Sequence, residues 1–212
     1  MDENLSWQRG AVMLKTAESL KKNNYTVHIA EDLKSAAELA LDLIKEGESV
    51  AFGGSQTIKE MGLQEMLAAR GQNIIAPKPG AAFEESIKAR RRALTADVYI
   101  ASPNAVTFDG KLVFMDKIGN RAAGMMFGPG KVIAIAGSNK LVHDEKGARE
   151  RIETLAGPAN AKRLALGTPC AKTGVCSDCD SSARICNVFA TLLKKPSYVE
   201  YHVILTPVET GY

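Results

Sequence analysis

The fold is decided by residues Ser102–Lys140, which read SPNAVTFDGKLVFMDKIGNRAAGMMFGPGKVIAIAGSNK. This stretch contains two short apolar runs on either side of Asp109-Gly110, a helix start at Gly119–Arg121, a Gly-Pro-Gly turn and the strongly apolar run Lys131–Ala136. Most of its polar residues stand where a predicted strand or helix changes into a loop. Because ligands of α/β proteins bind at such junctions, we expect a ligand cleft here.

Strands alternate with helices along most of the chain. Apolar or alternating runs predict strands at Tyr25–Ala30, Ser49–Phe52, Ile74–Ile75, Val98–Ala101, Lys131–Ala136 and Tyr201–Leu205, and a hairpin joins Ala105–Thr107 to Lys111–Met115. Helical periodicity predicts helices at Leu5–Lys22, Ser35–Lys45, Thr57–Arg70, Phe83–Leu94, Asn120–Phe127 and Glu145–Leu155. This order predicts an α/β fold whose mostly parallel sheet has helices on both faces.

The length of 212 residues suits a single domain over residues 1–212. An N-terminal helix over about residues 5–22 precedes the alternating pattern, and we expect Trp7 to anchor it by packing. A cysteine-bearing segment over about residues 157–212 follows, in which the periodicity weakens before the last strand.

The composition is that of a globular protein, with 45% hydrophobic and 24% charged residues. The net charge of +3 is too small and too dispersed to predict nucleic-acid binding. The basic cluster Lys88–Arg92 is interpreted as the solvated face of a helix, with a phosphate- or partner-binding role as the alternative. No apolar run reaches the length of about 18 residues that a membrane span requires. The N-terminus lacks the features of a signal peptide, and the clustered cysteines favour a reducing, cytoplasmic location.

The sequence VAFGGSQT, residues 50–57, predicts a strand that enters a helix through a glycine turn. Gly53 and Gly54 can adopt positive φ and let the backbone approach a ligand. Ser55 and Thr57 add hydroxyls at a helix start, where anions bind favourably. We expect a phosphate or carboxylate site here, and the alternative is a tight turn capped by Ser55 or Thr57.

Two further candidates follow the ends of predicted strands. Asn104 comes after Val98–Ala101, and Lys140 comes after Lys131–Ala136. Because the carboxyl ends of parallel strands form the ligand-bearing edge of this architecture, both residues are predicted ligand contacts.

Acidic and basic residues between them are candidates for chemistry. Asp109 is either a hairpin-turn residue or a proton-transfer group. Asp116 and Lys117 follow an apolar strand and are expected to project into the cleft. Asn120 can cap the next helix. Arg121 opposes the dipole of that helix, so it needs a compensating partner, which a substrate carboxylate would supply.

The cysteines form the spacing Cys170-x5-Cys176-x2-Cys179-x6-Cys186. Four thiolates suit a zinc ion or an iron–sulfur cluster. The spacing matches neither two Cys-x2-Cys units nor the ferredoxin run. Reduced structural thiols and a redox pair are the alternatives.

The sequence resembles the LUD domain family in GGSQTIKEMG at Gly53–Gly62, in Thr95–Lys140 and in TPCAKTGVCSDC at Thr168–Cys179. The likeness extends from about residue 10 to the end, and the family includes the smaller, cluster-free component of lactate utilisation. The resemblance implies a three-layer fold of the NagB/RpiA/CoA-transferase type. It also implies a role in oxidation of L-lactate to pyruvate, together with iron–sulfur partner proteins.

The central stretch also resembles, more distantly, sugar-phosphate isomerases related to translation-factor subunits. That resemblance implies proton handling by an acidic residue such as Asp109 and approach of Asp116-Lys117 to a phosphate. Asp116 stands where the isomerase signature has Asn.

The two resemblances and the candidate residues together predict one function and leave two alternatives open. We expect a component of 2-hydroxy acid oxidation that binds a small anionic metabolite. The alternatives are a stand-alone sugar-phosphate or CoA-ester enzyme and a non-catalytic ligand sensor.

Overall fold

The computed structural model describes residues 2–78 and 80–212. Its strands, in chain order, are β1 (Thr26–Ile29), β2 (Ser49–Phe52), β3 (Asn73–Ile75), β4 (Val98–Ala101), β5 (Ala105–Thr107), β6 (Leu112–Asp116), β7 (Lys131–Gly137), β8 (Leu141–Val142), β9 (Val188–Leu192) and β10 (Glu200–Thr206). Its α-helices are α1 (Glu3–Lys22), α2 (Leu33–Asp42), α3 (Gln56–Glu60), α4 (Leu63–Ala69), α5 (Phe83–Arg92), α6 (Asn120–Met126), α7 (Glu145–Arg151), α8 (Gly157–Arg163) and α9 (Pro169–Thr173).

The larger sheet has six described strands in the order β1-β10-β7-β4-β2-β3, and every neighbouring pair is parallel. This confirms the predicted α/β fold. Strand β3 lies on one side of β2 and β4 lies on the other, so the connections after β2 and β4 diverge. The carboxyl ends of β2 and β4 therefore flank a crevice, which is the usual ligand position in open α/β sheets.

The larger sheet is buried on both faces, which explains its continuous apolar strands. On one face, Ala36 of α2 and Leu63 and Leu67 of α4 pack against Ile100 and Ile133 of the sheet. On the other face we expected only helices, but a second sheet lies there as well. This face is covered by α1, by α6 and by the second sheet, whose contacts include Leu20, Met125 and Phe114.

The second sheet has the order β8-β5-β6-β9 and contains the predicted hairpin of β5 and β6. Its strand β6 is buried on both sides, because Phe114 faces the larger sheet while Val113 packs with Ala148 and Ile152. The two outer strands, β8 and β9, were not predicted. Strand β9 joins the antiparallel partner β6 from far along the chain.

Two expectations about helices were wrong. Helix α1 begins at Glu3, where the Asp2 side chain accepts from backbone N–H groups, but Trp7 on it is 73% exposed and anchors nothing by packing. The predicted helix Thr57–Arg70 is two helices, because Gly62 has a φ of 64° and begins α4 in the left-handed conformation. No described helix is long and apolar enough to cross a membrane.

Candidate functional site

A cavity of about 350 Å³ lies at the carboxyl edge of the larger sheet, where the loops after β2 and β4 diverge. We call it the anion cleft. Eight of the predicted site residues line it: Gly54, Ser55, Asn104, Asp116, Lys117, Asn120, Arg121 and Lys140. The structure thus brings together residues from four separate loops and strand ends, as the polar junctions of the sequence predicted.

The glycine loop after β2 contributes differently from the expectation. Neither Gly53 nor Gly54 adopts a positive φ. A Cβ at Gly53 would lie 2.8 Å from the Ala101 Cβ and 2.8 Å from the Arg121 Cγ, so Gly53 makes room for the stem of Arg121. Gly54 faces open space and lines the cleft. Ser55 caps α3 by accepting a hydrogen bond from the Ile58 N–H at 3.3 Å, as the structural alternative predicted.

Lys140 is 2% exposed and lies at the floor of the anion cleft. Its Nζ donates to the Thr57 Oγ1 at 2.8 Å and to the Ser102 Oγ at 2.7 Å. Burial first, and then the charges of Arg151 and Arg121, together lower the pKa of Lys140 to about 7, while the charge of Glu60 acts in the opposite direction. An amine has three positions besides its carbon, so the two hydroxyls leave one for a ligand.

Thr57 itself is fully buried beneath the cleft and does not line it. Its hydroxyl donates to the Thr210 carbonyl at 3.2 Å and accepts from Lys140. Thr57 therefore supports Lys140 from below the cleft instead of lining the cleft itself.

Asp116 and Arg121 form a buried ion pair, with side chains 7% and 12% exposed. The Arg121 Nε and Nη2 lie 3.1 and 3.0 Å from Asp116 Oδ1, and Asp116 Oδ2 accepts from the Ala122 N–H at 2.7 Å. The guanidinium also donates to the carbonyls of Ser102 and Met115. Asp116 is thus the compensating partner that the helix dipole requires for Arg121, in the place where the sequence suggested a substrate carboxylate.

The three other predicted contacts in the cleft differ in their surroundings: Asn104, Asn120 and Lys117. Asn104 Oδ1 accepts from the Met115 N–H at 2.9 Å and from Arg121, so it ties the β4 loop to β6. Asn120 does not cap α6, because Gly119 occupies the cap position with a φ of 76°. Lys117 is exposed at the rim of the cleft.

Asp109 does not line the anion cleft. It lies in the turn of the β5–β6 hairpin, where it accepts from the Thr107 hydroxyl and its Oδ2 lies 3.1 Å from the Lys111 Nζ. The Asn23 side-chain amide donates to the carbonyls of Asp109 and Gly110 at 2.9 Å each and docks this turn on the end of α1. The residue fits the turn interpretation, and the structure does not bring it to the other candidates.

The charges of the anion cleft are strongly unbalanced. Five cationic side chains line its described part, against the one carboxylate of Asp116, which Arg121 already engages. The other four make no ion pair with a described carboxylate: Arg90, Lys117, Lys140 and Arg163. An electropositive crevice of this kind attracts small anions.

The family model that matches the sequence is the LUD domain, over residues 13–206. The chain belongs to the LUD domain family. This LUD domain is similar in fold to the crystal structure of a DUF162 family protein from Deinococcus radiodurans, at 12% identity and a TM-score of 0.54, covering 93% of this chain and 98% of that chain.

Two structures from Chaetomium thermophilum show weaker likeness to the LUD domain. The eIF2B delta structure has 16% identity, a TM-score of 0.35 and coverage of 52% of this chain and 48% of that chain. The tetrameric eIF2B-beta2-delta2 complex has 17% identity, a TM-score of 0.40 and coverage of 82% and 54%. None of the curated proteins compared with the LUD domain matches it.

Residues that line the anion cleft of the LUD domain but were not singled out in the sequence include Ser102, Arg163 and Tyr212, and Arg90 was named only as part of the basic cluster Lys88–Arg92. Ser102 directly follows β4, so its position at a strand end was a usable signal. Arg90 belongs to the basic cluster interpreted as a solvated face, and only its tertiary position shows that it reaches the cleft. Tyr212 has a buried hydroxyl without a partner among the described residues.

Proposed function

We propose that this LUD-domain chain is a component of the oxidation of L-lactate, or of a closely related 2-hydroxy acid, to the 2-oxo acid. In this proposal the anion cleft binds the acid through its carboxylate. The observation that carries the proposal is the set of four cations without a carboxylate partner at the diverging β2 and β4 loops. The family supplies the association with lactate utilisation.

Lys140 is the group best suited to contact the ligand and to handle a proton. Oxidation of a 2-hydroxy acid removes two protons and two electrons. With a pKa of about 7, the Lys140 amine can accept the hydroxyl proton at neutral pH. Both Asp116 oxygens already accept hydrogen bonds, so that carboxylate supports Arg121 instead. The Cα hydrogen leaves with both electrons as a hydride to a two-electron acceptor, which we assign, together with the iron–sulfur clusters that receive its electrons, to partner proteins.

Calorimetric titration with L-lactate, pyruvate and inorganic phosphate tests the binding step. We expect saturable binding of at least one of these anions, and a loss of affinity of about tenfold or more in Lys140→Met, because the hydrogen bond between the Lys140 amine and the ligand is lost. Asp109→Ala is the matched control and keeps the affinity of the unmodified chain. Binding that is unchanged by Lys140→Met would show that the ligand lies elsewhere.

A deletion strain tests the role in lactate oxidation. The strain is expected to grow normally on other carbon sources and poorly on L-lactate, and the tagged chain is expected to co-purify with iron–sulfur proteins. Normal growth on L-lactate would reject this function while leaving anion binding open to the titration.

A second candidate is an enzyme of phosphorylated or CoA-ester substrates. Four unpaired cations exceed what one carboxylate needs, and this favours a ligand with more than one negative charge. Thermal-shift measurements with sugar phosphates and CoA esters, followed by product analysis, distinguish the candidates. A stabilising compound that is converted identifies an enzyme, and one that is never converted identifies a sensor.

A further inference from the structure

A second cavity, of about 720 Å³, is lined by all four cysteines of the chain. Cys170 lies on α9, Cys176 and Cys179 lie on the loop after it, and Cys186 lies just before β9. All four are half-buried free thiols. We call this space the cysteine cavity. The proposed function makes no use of it.

The four thiols come from one short stretch of chain, Cys170–Cys186, and all of them line the same cavity. Four ionised thiols around one space repel one another unless a cationic group lies between them. The cavity thus has the donors for such a group and the volume to hold it.

We propose that the cysteine cavity binds an iron–sulfur cluster through its four thiolates. A single zinc ion needs its ligands to converge on one point at about 2.3 Å. Within residues 2–78 and 80–212, no three or more cysteine, histidine or carboxylate side chains are arranged to hold one metal ion. A cluster of several iron and sulfide atoms is a larger body, and it takes cysteines that stand apart around its surface.

Arg184 fixes the loop that carries three of the cysteines. Its Nη1 donates to the Cys179 carbonyl at 2.7 Å, its Nε donates to the Cys186 carbonyl at 3.2 Å, and it pairs with Asp178 at 2.7 Å. The loop is therefore held together by protein contacts. The guanidinium also supplies positive charge beside a cluster that four thiolates would make anionic.

Cys170 has a further contact that suits a cluster ligand. The Thr168 Oγ1 lies 3.4 Å from the Cys170 Sγ. Hydrogen bonds to ligating sulfur atoms adjust the reduction potential of iron–sulfur clusters.

The cysteine cavity adjoins the anion cleft. Met115 and Ile185 line both spaces. The Asn187 N–H donates to the Asp116 carbonyl at 3.1 Å, and the Asn187 side chain donates to the Lys117 carbonyl at 3.2 Å. The residue next to Cys186 is thus hydrogen-bonded to the strand end that supports Arg121. A cluster here would stand beside the anion cleft, on the chain itself.

The test is purification without air, followed by reconstitution with ferrous iron and sulfide. We expect a brown protein with visible charge-transfer absorption that bleaches on reduction, and iron and sulfide in about equal amounts, at about two or four of each per chain. A colourless chain, stoichiometric zinc without sulfide, or iron without sulfide would each overturn the proposal. No substrate enters these measurements, so they do not depend on the lactate proposal.

Variants assign the cluster to the cavity. Cys186→Ser, and Cys176→Ser combined with Cys179→Ser, are expected to lose most of the bound iron and sulfide. Ser177→Ala and Val175→Ala, in the same exposed loop, are the matched controls and keep the cluster. All three positions lie outside the helices and strands, and circular dichroism of each variant checks that it remains folded. Equal iron and sulfide in the cysteine variants and the controls would show that the metal binds elsewhere.

Discussion

Lys140 is an ionisable residue buried away from water, and its burial makes the stability of the fold depend on pH. Below about pH 7 it is charged in both the folded and the unfolded chain, so the full penalty for burying the charge is present. Between about pH 7 and the unfolded pKa of about 10.4, only the unfolded chain binds the proton, so the stability of the unmodified chain rises with pH.

Lys140→Met is therefore expected to raise the melting temperature at pH 6, on the order of 5 °C. The gain shrinks as the pH rises from about 7 to about 10, because the unmodified chain recovers the difference. Thermal unfolding followed by circular dichroism across this range measures it. The surface variant Lys34→Met is the control, with a small shift at every pH. A Lys140→Met effect that does not change with pH would contradict the buried charge.

Substitution of Asp116 is expected to lower the stability of the fold. Asp116→Asn leaves the buried Arg121 guanidinium without its carboxylate, which costs about 3 kcal/mol in the free energy of unfolding. Urea unfolding measures this loss. Asp109→Asn, on a side chain that is 56% exposed, changes the free energy by no more than about 0.5 kcal/mol. Equal free energies of unfolding for the two variants would show that Asp116 does not stabilise the buried Arg121.

The sequence placed these two aspartates in one candidate class, and only the fold separates them. Asp109 lies in the turn between the two short apolar strands of the hairpin, and Asp116 is the last residue of the second strand. The turn with Asp109 docks on α1, whereas the far end of β6 with Asp116 reaches the anion cleft. Which end of a hairpin faces the carboxyl edge depends on contacts with distant elements, which local sequence does not encode.

At the scale of elements, the loop after β2 must approach α6 closely. Gly53→Ala places a Cβ against Ala101 and the Arg121 stem, so we expect a loss of about 1–3 kcal/mol in the free energy of unfolding and weaker anion binding. Gly54→Ala, one residue on, meets no atom within 4 Å and is expected to keep its stability. Urea unfolding and calorimetry of the pair measure both effects. A Gly54 variant as damaged as the Gly53 variant would mean that loop flexibility, rather than space, is what matters.

The elements that the sequence predicted are those with strong periodicity. The strands of the parallel sheet are continuous apolar runs such as Val98–Ala101, and the structure confirms them with small changes of boundary. Strand β9, Val188–Leu192, is short, half-buried and mixed in character, and it pairs with β6 from across the chain. Its strand conformation depends on that partner, so periodicity alone could not predict it.

At the scale of the whole molecule, charge is distributed in a way that composition conceals. The net charge is +3, yet the described residues that line the anion cleft alone include five cations and one carboxylate. The surface outside the cleft is therefore close to neutral. The sequence excluded nucleic acid as a partner by its modest total, but it could not predict the cleft, because Arg90, Lys117, Lys140 and Arg163 are distant in sequence and meet only in the fold.

This concentration of charge makes anion affinity depend on salt. We expect affinity to fall as ionic strength rises from 0.01 M, where the screening length is about 30 Å, to 0.15 M, where it is about 8 Å. Lys117→Ala with Arg163→Ala removes two cations from the cleft, so it should weaken binding about tenfold at low salt and flatten the salt dependence. Lys15→Ala with Lys34→Ala changes the net charge equally on exposed positions outside the cleft and should leave both unchanged. Calorimetry at the two salt concentrations gives the comparison. Equal losses in both double variants would mean that net charge, rather than the cleft, attracts the ligand.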